Sequence, residues 1–260
     1  MFLTDAHTHS HHSHDGCEPV AALCESACDR RLSALCLTDH YDAEGRFNPK
    51  AYRAEIEQTR AAFAGRLELL CGVELGEGHL TPERSAALLA AAPFDLVLGS
   101  CHHLEGQPDF YWLRYTSRAH CRQLIGDYLD ELVRMISWGG FDVLAHLTYP
   151  LRYMADRDGF DVDFMCHEDK VRAVFRALAR SRRGLELNVS GLRRGSFAMP
   201  DVPLLRLYRA CGGEFITVGS DAHHAREVGV SVAEGVELLR AAGFSRMAVY
   251  RKRQVHWVST

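Results

Sequence analysis

Short apolar segments alternate with longer segments of mixed polarity along most of the chain. The short segments have the length and composition of buried strands, whereas the longer ones repeat apolar positions at helical spacing. The longest of these, residues 117–138, carries such positions at Leu124, Tyr128, Leu132 and Met135. An alternation of strands and helices predicts an α/β fold with a parallel sheet.

Seven strands are predicted in one continuous series, with helices between them and no obvious linker. The predicted strands are residues 2–4 leading to His7, 34–38, 67–73, 95–100, 142–145, 184–187 and 215–218. The predicted helices are residues 18–30, 49–64, 81–91, 117–138, 166–182, 203–211 and 231–242, and residues 146–166 are predicted as a loop. Such a series favours a closed barrel in one domain, residues 1–260, over an open sheet.

Composition and charge restrict the class of protein. Hydrophobic residues make up 47% of the chain, which is enough for a sizeable core. No apolar run is long enough to span a membrane, and the first residues lack the basic and apolar regions of a signal peptide. The nine scattered cysteines then indicate reduced thiols in a cytosolic protein. A net charge of -4 without a long basic block argues against nucleic acid as the main partner.

The first predicted strand leads into a stretch that is rich in histidine. His7 and His9 are separated by one residue, so in an extended strand their side chains point to the same side. A polar loop follows and brings Asp15 back over them. A solvated loop or a cloning tag is also rich in histidine. The interrupted spacing and the strand–loop–helix context favour a metal site, provided that other ligands converge on it.

Polar residues stand at the end of every predicted strand. They are His7 and His9, His40, Glu74, His102, His146, Asn188, and Asp221 with His223. The carboxyl ends of barrel strands meet at one face, so we expect these side chains to share one site. The mixture of imidazole and carboxylate suits Zn, Fe or Mn better than Mg.

The number of candidate ligands exceeds what one metal ion needs, which is roughly three or four protein side chains. The set therefore suits about two or three ions, with a carboxylate such as Glu74 bridging two of them. Clusters of that kind favour attack on a phosphoryl group. A metal pair lowers the pKa of a shared water, and the cations neutralise the phosphate oxygens.

Six short motifs occur in order along the chain. They are His7-x-His9 with Ser13-x-Asp15-Gly16, Thr38-Asp39-His40, Gly72-Val73-Glu74, Gly99-Ser100-Cys101-His102, Ala145-His146, and Gly219-Ser220-Asp221-Ala222-His223. In combination they resemble the polymerase and histidinol phosphatase (PHP) family, over residues 5–251. The resemblance implies a distorted (β/α)7 TIM-like barrel with a trinuclear site for Zn, Fe or Mn ions.

The resemblance also implies how the ligands are shared. The first metal would be held by His7, His9, Glu74 and Asp221. The second would be held by Glu74, His102 and His146, and the third by Asp15, His40 and His223. Some members of the family carry histidine where this chain has Asp15, so the preceding His14 is the competing candidate for that position.

Residues 186–193 and 151–153 resemble the stand-alone histidinol-phosphatase branch of the family. That resemblance implies hydrolysis of L-histidinol phosphate in histidine biosynthesis, by in-line attack of a hydroxide held between two metals. Arg193, on the loop after the sixth strand, is expected to hold the phosphate oxygens, with Arg152 as a second candidate. The leaving-group proton would come from Asp221, from His223 or from a water on a metal.

Two rival functions stay open at this point. The first is another phosphoesterase on the same barrel, acting on nucleotides, oligonucleotide ends or phosphotyrosine. The second is a non-catalytic metal-binding module that regulates a partner, against which the complete ligand set argues. The preferred interpretation is a phosphomonoesterase for a small phosphate ester, with no nucleic-acid or membrane partner. The sequence does not define the oligomeric state.

Two other features have less specific interpretations. The histidines that lie beside the predicted ligands but off the motif pattern are interpreted as supporting or solvated residues; they are His11, His12, His14 and His103. The aromatic loop 110–115 either covers the substrate or packs on the rim of the barrel.

Overall fold

The structure is a computed structural model that describes residues 2–41 and 47–260. Its strands are β1 (Thr4–Thr8), β2 (Ala34–Leu37), β3 (His40–Tyr41), β4 (Glu68–Gly76), β5 (Leu96–Ser100), β6 (Val143–Leu144), β7 (Gly184–Asn188), β8 (Ile216–Gly219), β9 (Arg246–Arg251) and β10 (Gln254–Ser259). Its α-helices are α1 (Val20–Asp29), α2 (Pro49–Ala62), α3 (Pro82–Ala91), α4 (Arg118–Trp138), α5 (Tyr149–Arg152), α6 (Glu168–Ser181), α7 (Val202–Ala210) and α8 (Val232–Ala241).

Seven parallel strands form a nearly closed barrel in the order β1-β2-β4-β5-β6-β7-β8, and the short β3 pairs with β4. Backbone hydrogen bonds join the last strand to the first. The amide of Asp221 donates to the carbonyl of His7, and the amide of His9 donates to the carbonyl of Ala222, both at 2.8 Å. The α/β barrel predicted from the alternation of strands and helices is therefore confirmed.

Local sequence signals determine where several helices begin and end. The hydroxyl of Ser117 accepts a hydrogen bond from the amide of His120 at 3.1 Å and so caps α4. Gly139 ends this helix with a φ of 84°, a left-handed conformation that glycine adopts without a steric penalty. Asp201 caps α7 by accepting from the amide of Leu204 at 3.0 Å. The four apolar positions predicted for α4 are all buried.

The barrel strands bury side chains on both faces. One face packs on the surrounding helices, where Leu35 and Val73 share a core with Tyr52 and Ile56 of α2. A second, smaller cluster joins strand residues to residues 248–250 of β9; its strand members include Ala34, Leu70, Leu98 and Val143. These positions precede the polar strand ends. The antiparallel β9–β10 hairpin therefore packs against the barrel away from the predicted ligands.

The structure differs from the predicted elements in two places. Residues 146–166, predicted as a loop, contain α5 and a π-helical turn, Tyr153–Arg157. One helical turn is too short to leave a helical repeat in the sequence. Strand β3 is also missing from the prediction, because a two-residue strand leaves no alternation. It forms through the pairing of His40 with Glu74 on β4.

The residues that the structure describes contain neither a membrane-spanning helix nor a disulfide bond. Within these ranges, every helix is too short or too polar to cross a membrane. All nine cysteines lie in the described ranges and none is bonded to another. The cytosolic location stays a prediction of the sequence.

Candidate metal centre

The carboxyl ends of the barrel strands bring all nine predicted ligands to one place. His7 lies in β1, His40 in β3 and Glu74 in β4. The remaining six follow strand ends or stand in the first loop; they are His9, Asp15, His102, His146, Asp221 and His223. The strand ends therefore meet at one face of the barrel, as expected.

Glu74 lies at the middle of this cluster and is fully buried. Its Oε2 is 3.1 Å from Nε2 of His7 and 3.1 Å from Nδ1 of His40. Its Oε1 is 3.0 Å from Nε2 of His146 and 3.2 Å from Nε2 of His102. Each carboxylate oxygen therefore faces a different pair of imidazoles, which is the arrangement that a bridging carboxylate requires.

The ligand atoms form three overlapping groups, each spanning no more than 4.8 Å between ligand atoms. The groups are His7, His9 and Glu74; Glu74, His102 and His146; and His9, His40 and His223. Two carboxylates join them. Oδ1 of Asp221 lies 3.4 Å from Nε2 of His9, and Oδ2 of Asp15 lies 3.0 Å from Nε2 of His223.

Burial and mutual charge determine the protonation of the cluster. Burial, together with the charges of His223 and His40, lowers the pKa of His9 to about 4. Burial also lowers the pKa of His40 to about 4. Burial alone would raise the pKa of the Glu74 carboxyl, but the neighbouring imidazoles hold this pKa well below its usual value. Despite their burial, the neighbouring carboxylates raise the pKa of His7 well above its usual value and that of His223 to about 9. Metals bind neutral imidazoles and ionised carboxylates, so a bound ion would replace the protons of these two histidines.

A buried nitrogen atom of His9 is further evidence that these side chains can bind a metal ion. Nδ1 of His9 lies 3.1 Å from the Ser13 hydroxyl, and its Nε2 is buried without a hydrogen-bond partner among the described residues. A buried polar atom of this kind needs a partner, and a cation among the surrounding carboxylates supplies one. Imidazole and carboxylate together favour zinc, iron or manganese.

Two of the ligands stand on strained backbone. His146 has a φ of 26° and Asp221 a φ of 54°, conformations that non-glycine residues rarely adopt. Each costs on the order of 1–3 kcal/mol and persists only where the surroundings hold it. Each is held by a hydrogen bond with a side chain: the amide of His146 donates to Glu186, and Arg193 donates to the carbonyl of Asp221.

Glu186 is the first residue that the sequence analysis did not assign to the site. Its Oε1 lies 2.7 Å from Nδ1 of His7, and its Oε2 accepts from the amide of His146 at 2.8 Å. The side chain is fully buried in β7. One carboxylate thus orients two ligands, as outer carboxylates do around metal-bound histidines. The only hint of this role in the sequence is that Glu186 is an ionisable residue inside an otherwise apolar predicted strand, residues 184–187.

Two buried aspartates hold the loops that carry ligands. Asp39 accepts four hydrogen bonds from the amides and hydroxyls of Ser10 and Ser13, at 2.7–2.9 Å. Asp5 accepts from the amide and hydroxyl of Ser220 at 2.8 and 2.5 Å and from the amide of Gly229 at 2.8 Å. Burial raises the pKa of Asp5, although these hydrogen bonds oppose the shift. The carboxylates fix the loops next to His9 and Asp221.

The cluster opens into a cavity of about 390 Å³. Besides seven of the nine ligands, it is lined by His14, Asp109, Tyr111, Tyr149, Arg152, Tyr153 and Arg194. Oδ1 of Asp109 accepts from the hydroxyl of Tyr149 at 3.1 Å. Phe110 of the aromatic loop is buried in the core, whereas Tyr111 borders the cavity. The cavity therefore combines metal-type ligands, two guanidinium groups, one further carboxylate and an aromatic wall.

Arg193 is not among the residues that line the cavity, where its expected contact with phosphate would lie. Its guanidinium donates to the backbone carbonyls of Ser220 and Asp221, the latter at 3.0 Å, and pairs with Glu227 at 3.3 Å. Arg194, the next residue, borders the cavity instead. Arg193 therefore supports the strained backbone of Asp221 in this structure. Arg152 borders the cavity as expected, and its contact with phosphate stays a prediction.

Asp15 and His14 also differ in position. Oδ2 of Asp15 is 3.0 Å from Nε2 of His223 and 3.8 Å from Nε2 of His40. The His14 side chain is 64% exposed, and its Nε2 is 4.0 Å from Asp15. The geometry therefore favours Asp15 over His14 as the ligand that joins His40 and His223.

The barrel and the histidine–carboxylate cluster at its mouth define a metal-binding α/β-barrel enzyme. A family model for the PHP domain matches residues 5–190, and the chain belongs to this family. A protein named "Probable histidinol-phosphatase" from Deinococcus radiodurans is 30% identical, over 97% of this chain and 98% of its own length. One of the same name from Thermotoga maritima is 27% identical over 97% and 98% of the two chains.

A solved structure is similar over the same extent. It is the histidinol phosphate phosphatase from Lactococcus lactis subsp. lactis Il1403, complexed with zinc, L-histidinol and phosphate. It matches with a TM-score of 0.84 and 26% sequence identity, over 98% of each chain. The zinc in that protein agrees with the metal-binding chemistry of the present cluster.

Proposed function

We propose that this chain is a metal-dependent phosphomonoesterase that hydrolyses L-histidinol phosphate to L-histidinol and inorganic phosphate. The observation that carries the proposal is the buried Glu74 carboxylate, whose two oxygens face separate pairs of imidazoles at the floor of an open cavity. The similarity to the phosphatase from Lactococcus lactis, complexed with L-histidinol and phosphate, supports the choice of substrate.

The proposed cofactor is a set of three metal ions, one for each group of ligands. Zinc is the first candidate, and iron and manganese suit the same donors. His7, His9, Glu74 and Asp221 would hold the first ion, Glu74, His102 and His146 the second, and Asp15, His40 and His223 the third. When bound, such ions supply a water of lowered pKa and positive charge opposite the phosphate oxygens.

The protein side chains would orient the substrate and move one proton. Arg152 and Arg194 offer forked donors that match phosphate oxygens. Asp109 and the neighbouring tyrosines suit the ammonium and imidazole groups of histidinol phosphate. Hydrolysis forms a new oxygen–phosphorus bond and breaks the ester bond, and the departing oxygen needs a proton. This proton would come from Asp221, from His223 or from a water that the metal ions would hold; the two side chains border the cavity.

A phosphate-release assay tests this function. We expect kcat/KM for histidinol phosphate to exceed that for nucleotides, oligonucleotide ends and phosphotyrosine by about a hundredfold or more, since the cavity offers paired polar groups to this substrate. A strong chelator should abolish the activity, and added zinc should restore it. Full activity in chelator, with no metal found by elemental analysis, would overturn the mechanism. Bound metal without hydrolysis of any substrate would favour a regulatory module.

The arginines of the rim give a second prediction. Arg152→Ala and Arg194→Ala should each lower kcat/KM by about thirtyfold, which is ~2 kcal/mol at 1.36 kcal/mol per tenfold. Metal content should not change, because neither guanidinium contacts a described ligand. Arg193→Ala is the matched variant, and we expect it to weaken metal binding by releasing the Asp221 backbone. Steady-state kinetics and elemental analysis together distinguish the roles. An Arg193→Ala protein with normal metal affinity and a large loss of kcat/KM would mean that Arg193, after all, contacts the phosphate.

Asp15 and His14 give a third prediction. Asp15→Ala should remove about one metal ion per chain, because its carboxylate closes the group that contains His40 and His223. His14→Ala, on the neighbouring exposed side chain, should leave the metal content unchanged. Metal analysis after dialysis measures both variants. The opposite pattern would mean that the loop shifts by one residue when metal binds.

A further inference from the structure

A second group of potential metal ligands lies apart from the nine-ligand cluster. His11 and His12 stand in the loop between β1 and α1, and Glu55 is on α2. Nε2 of His11 lies 2.9 Å, and Nε2 of His12 lies 2.7 Å, from the same Oε2 of Glu55. The two imidazole rings are 4.6 Å apart. Three ligand atoms from two elements therefore converge on one point.

The carboxylate of Glu55 is held so that one oxygen faces both rings. Its Oε1 accepts a hydrogen bond from the amide of Val20, the first residue of α1, at 3.0 Å. His12 packs edge-on against the ring of Tyr52, with centroids 5.4 Å apart, so its orientation is also fixed. Two of the three side chains, Glu55 and His12, are thus held by contacts outside the group itself.

The three ligand atoms lie within 4.8 Å of one another, and the two distances to Glu55 are slightly shorter than those between ligands of a tetrahedral zinc ion. With zinc–nitrogen and zinc–oxygen distances of about 2.0–2.1 Å, two ligand atoms lie about 3.3 Å apart. Small rotations of the two imidazoles would widen the present 2.7 and 2.9 Å to that value. The side chain of His11 is 43% exposed and that of Glu55 is 25% exposed. Solvent can therefore reach the group and supply the remaining ligand.

We propose that His11, His12 and Glu55 form a separate site for a divalent transition-metal ion, with zinc as the preferred ion. Two imidazoles and one carboxylate are a ligand set that zinc binds with an open position for water. An ion there would join the β1–α1 loop to α2 and, through the amide of Val20, to α1. The same loop carries His9 and Ser13, so binding would make this region of the barrel mouth more stable. The site does not depend on the phosphatase activity.

Zinc counting in the full chain tests the site. Wild type, His11→Asn and Glu55→Gln are dialysed against a zinc buffer of fixed free concentration, and bound zinc is measured. We expect wild type to hold one more ion per chain than either variant. Affinity for that ion should fall by more than about tenfold, since even indirect contacts change metal affinity by ~10- to 100-fold. His256→Asn and Glu57→Gln, which remove an exposed imidazole and an exposed carboxylate elsewhere, should match wild type.

Anomalous diffraction at the zinc edge locates the ion. A peak within bonding distance of His11, His12 and Glu55 would support the proposal. Equal zinc counts in wild type, His11→Asn and Glu55→Gln, or zinc peaks confined to the nine-ligand cluster, would overturn it. Both variants retain the nine residues of the main cluster, so hydrolysis of histidinol phosphate reports on that cluster separately. Circular dichroism verifies that each variant is folded.

Discussion

Glu74→Gln is expected to lower kcat/KM for histidinol phosphate by at least about a thousandfold, which is ~4 kcal/mol at 1.36 kcal/mol per tenfold. Both Glu74 oxygens face imidazoles at 3.0–3.2 Å, so this one carboxylate serves two ligand groups. An amide has one acceptor oxygen and no charge. It would leave one pair of imidazoles facing an NH2 group and remove the anion that two cations would share.

Kinetics and elemental analysis should be measured in parallel on Glu74→Gln. We expect the loss of about two metal ions per chain together with the loss of rate. Glu68→Gln is the matched control, because Glu68 stands on the same strand and pairs with Arg251 at 2.6 Å, away from the cluster. That control should keep both the metal and the rate. A Glu74→Gln protein with near-normal metal content and activity would contradict the bridging role.

Glu186→Gln is expected to lower metal affinity and kcat/KM by up to about a hundredfold, the range found for outer carboxylates around metal sites. The carboxylate faces Nδ1 of His7 with one oxygen and accepts from the amide of His146 with the other. Glutamine keeps the volume but offers only one acceptor. Its NH2 group would face either the imidazole or the amide of His146, where it repels a donor.

The His146 amide makes this effect larger than that of a single lost hydrogen bond. His146 has a φ of 26°, and the Glu186 contact is a support for that strained backbone. Metal affinity measured by chelator competition is the informative readout. Glu131→Gln is the control, since Glu131 is also buried and bonds the imidazole of His79, but on α4. It should lower the melting temperature without changing metal affinity. Equal effects of the two substitutions would mean that Glu186 is only structural.

Much of the fold and of the candidate site was predictable because the signals are local. The alternation of strands and helices predicts the barrel, and a barrel brings strand ends together whatever their sequence. His40, Glu74, His102 and His146 each stand in or directly after a strand, so fold and chemistry could be combined. The nine candidate ligands lie together as expected, while their occupancy by metal stays a prediction.

Two features could not be read from the sequence, each for its own physical reason. Helix α5 is one turn long and carries no helical repeat, so residues 146–166 looked like a loop. Arg193 and Arg194 are neighbours with the same chemistry, and the sequence offered no reason to prefer either. The structure turns Arg193 toward the carbonyls of Ser220 and Asp221, whereas Arg194 borders the cavity. The direction of a side chain on a short loop depends on distant partners.

The sequence by itself determined the fold class, the order of the ligands and the kind of metal they suit, because these follow from periodicity and from the chemistry of single residues. Only the tertiary structure decided which groups support the ligands. Glu186 contacts His7 across 179 residues of chain, and His11 and His12 contact Glu55 on another element. Such contacts form only when the elements pack in the folded chain, since packing brings together residues that no local pattern relates.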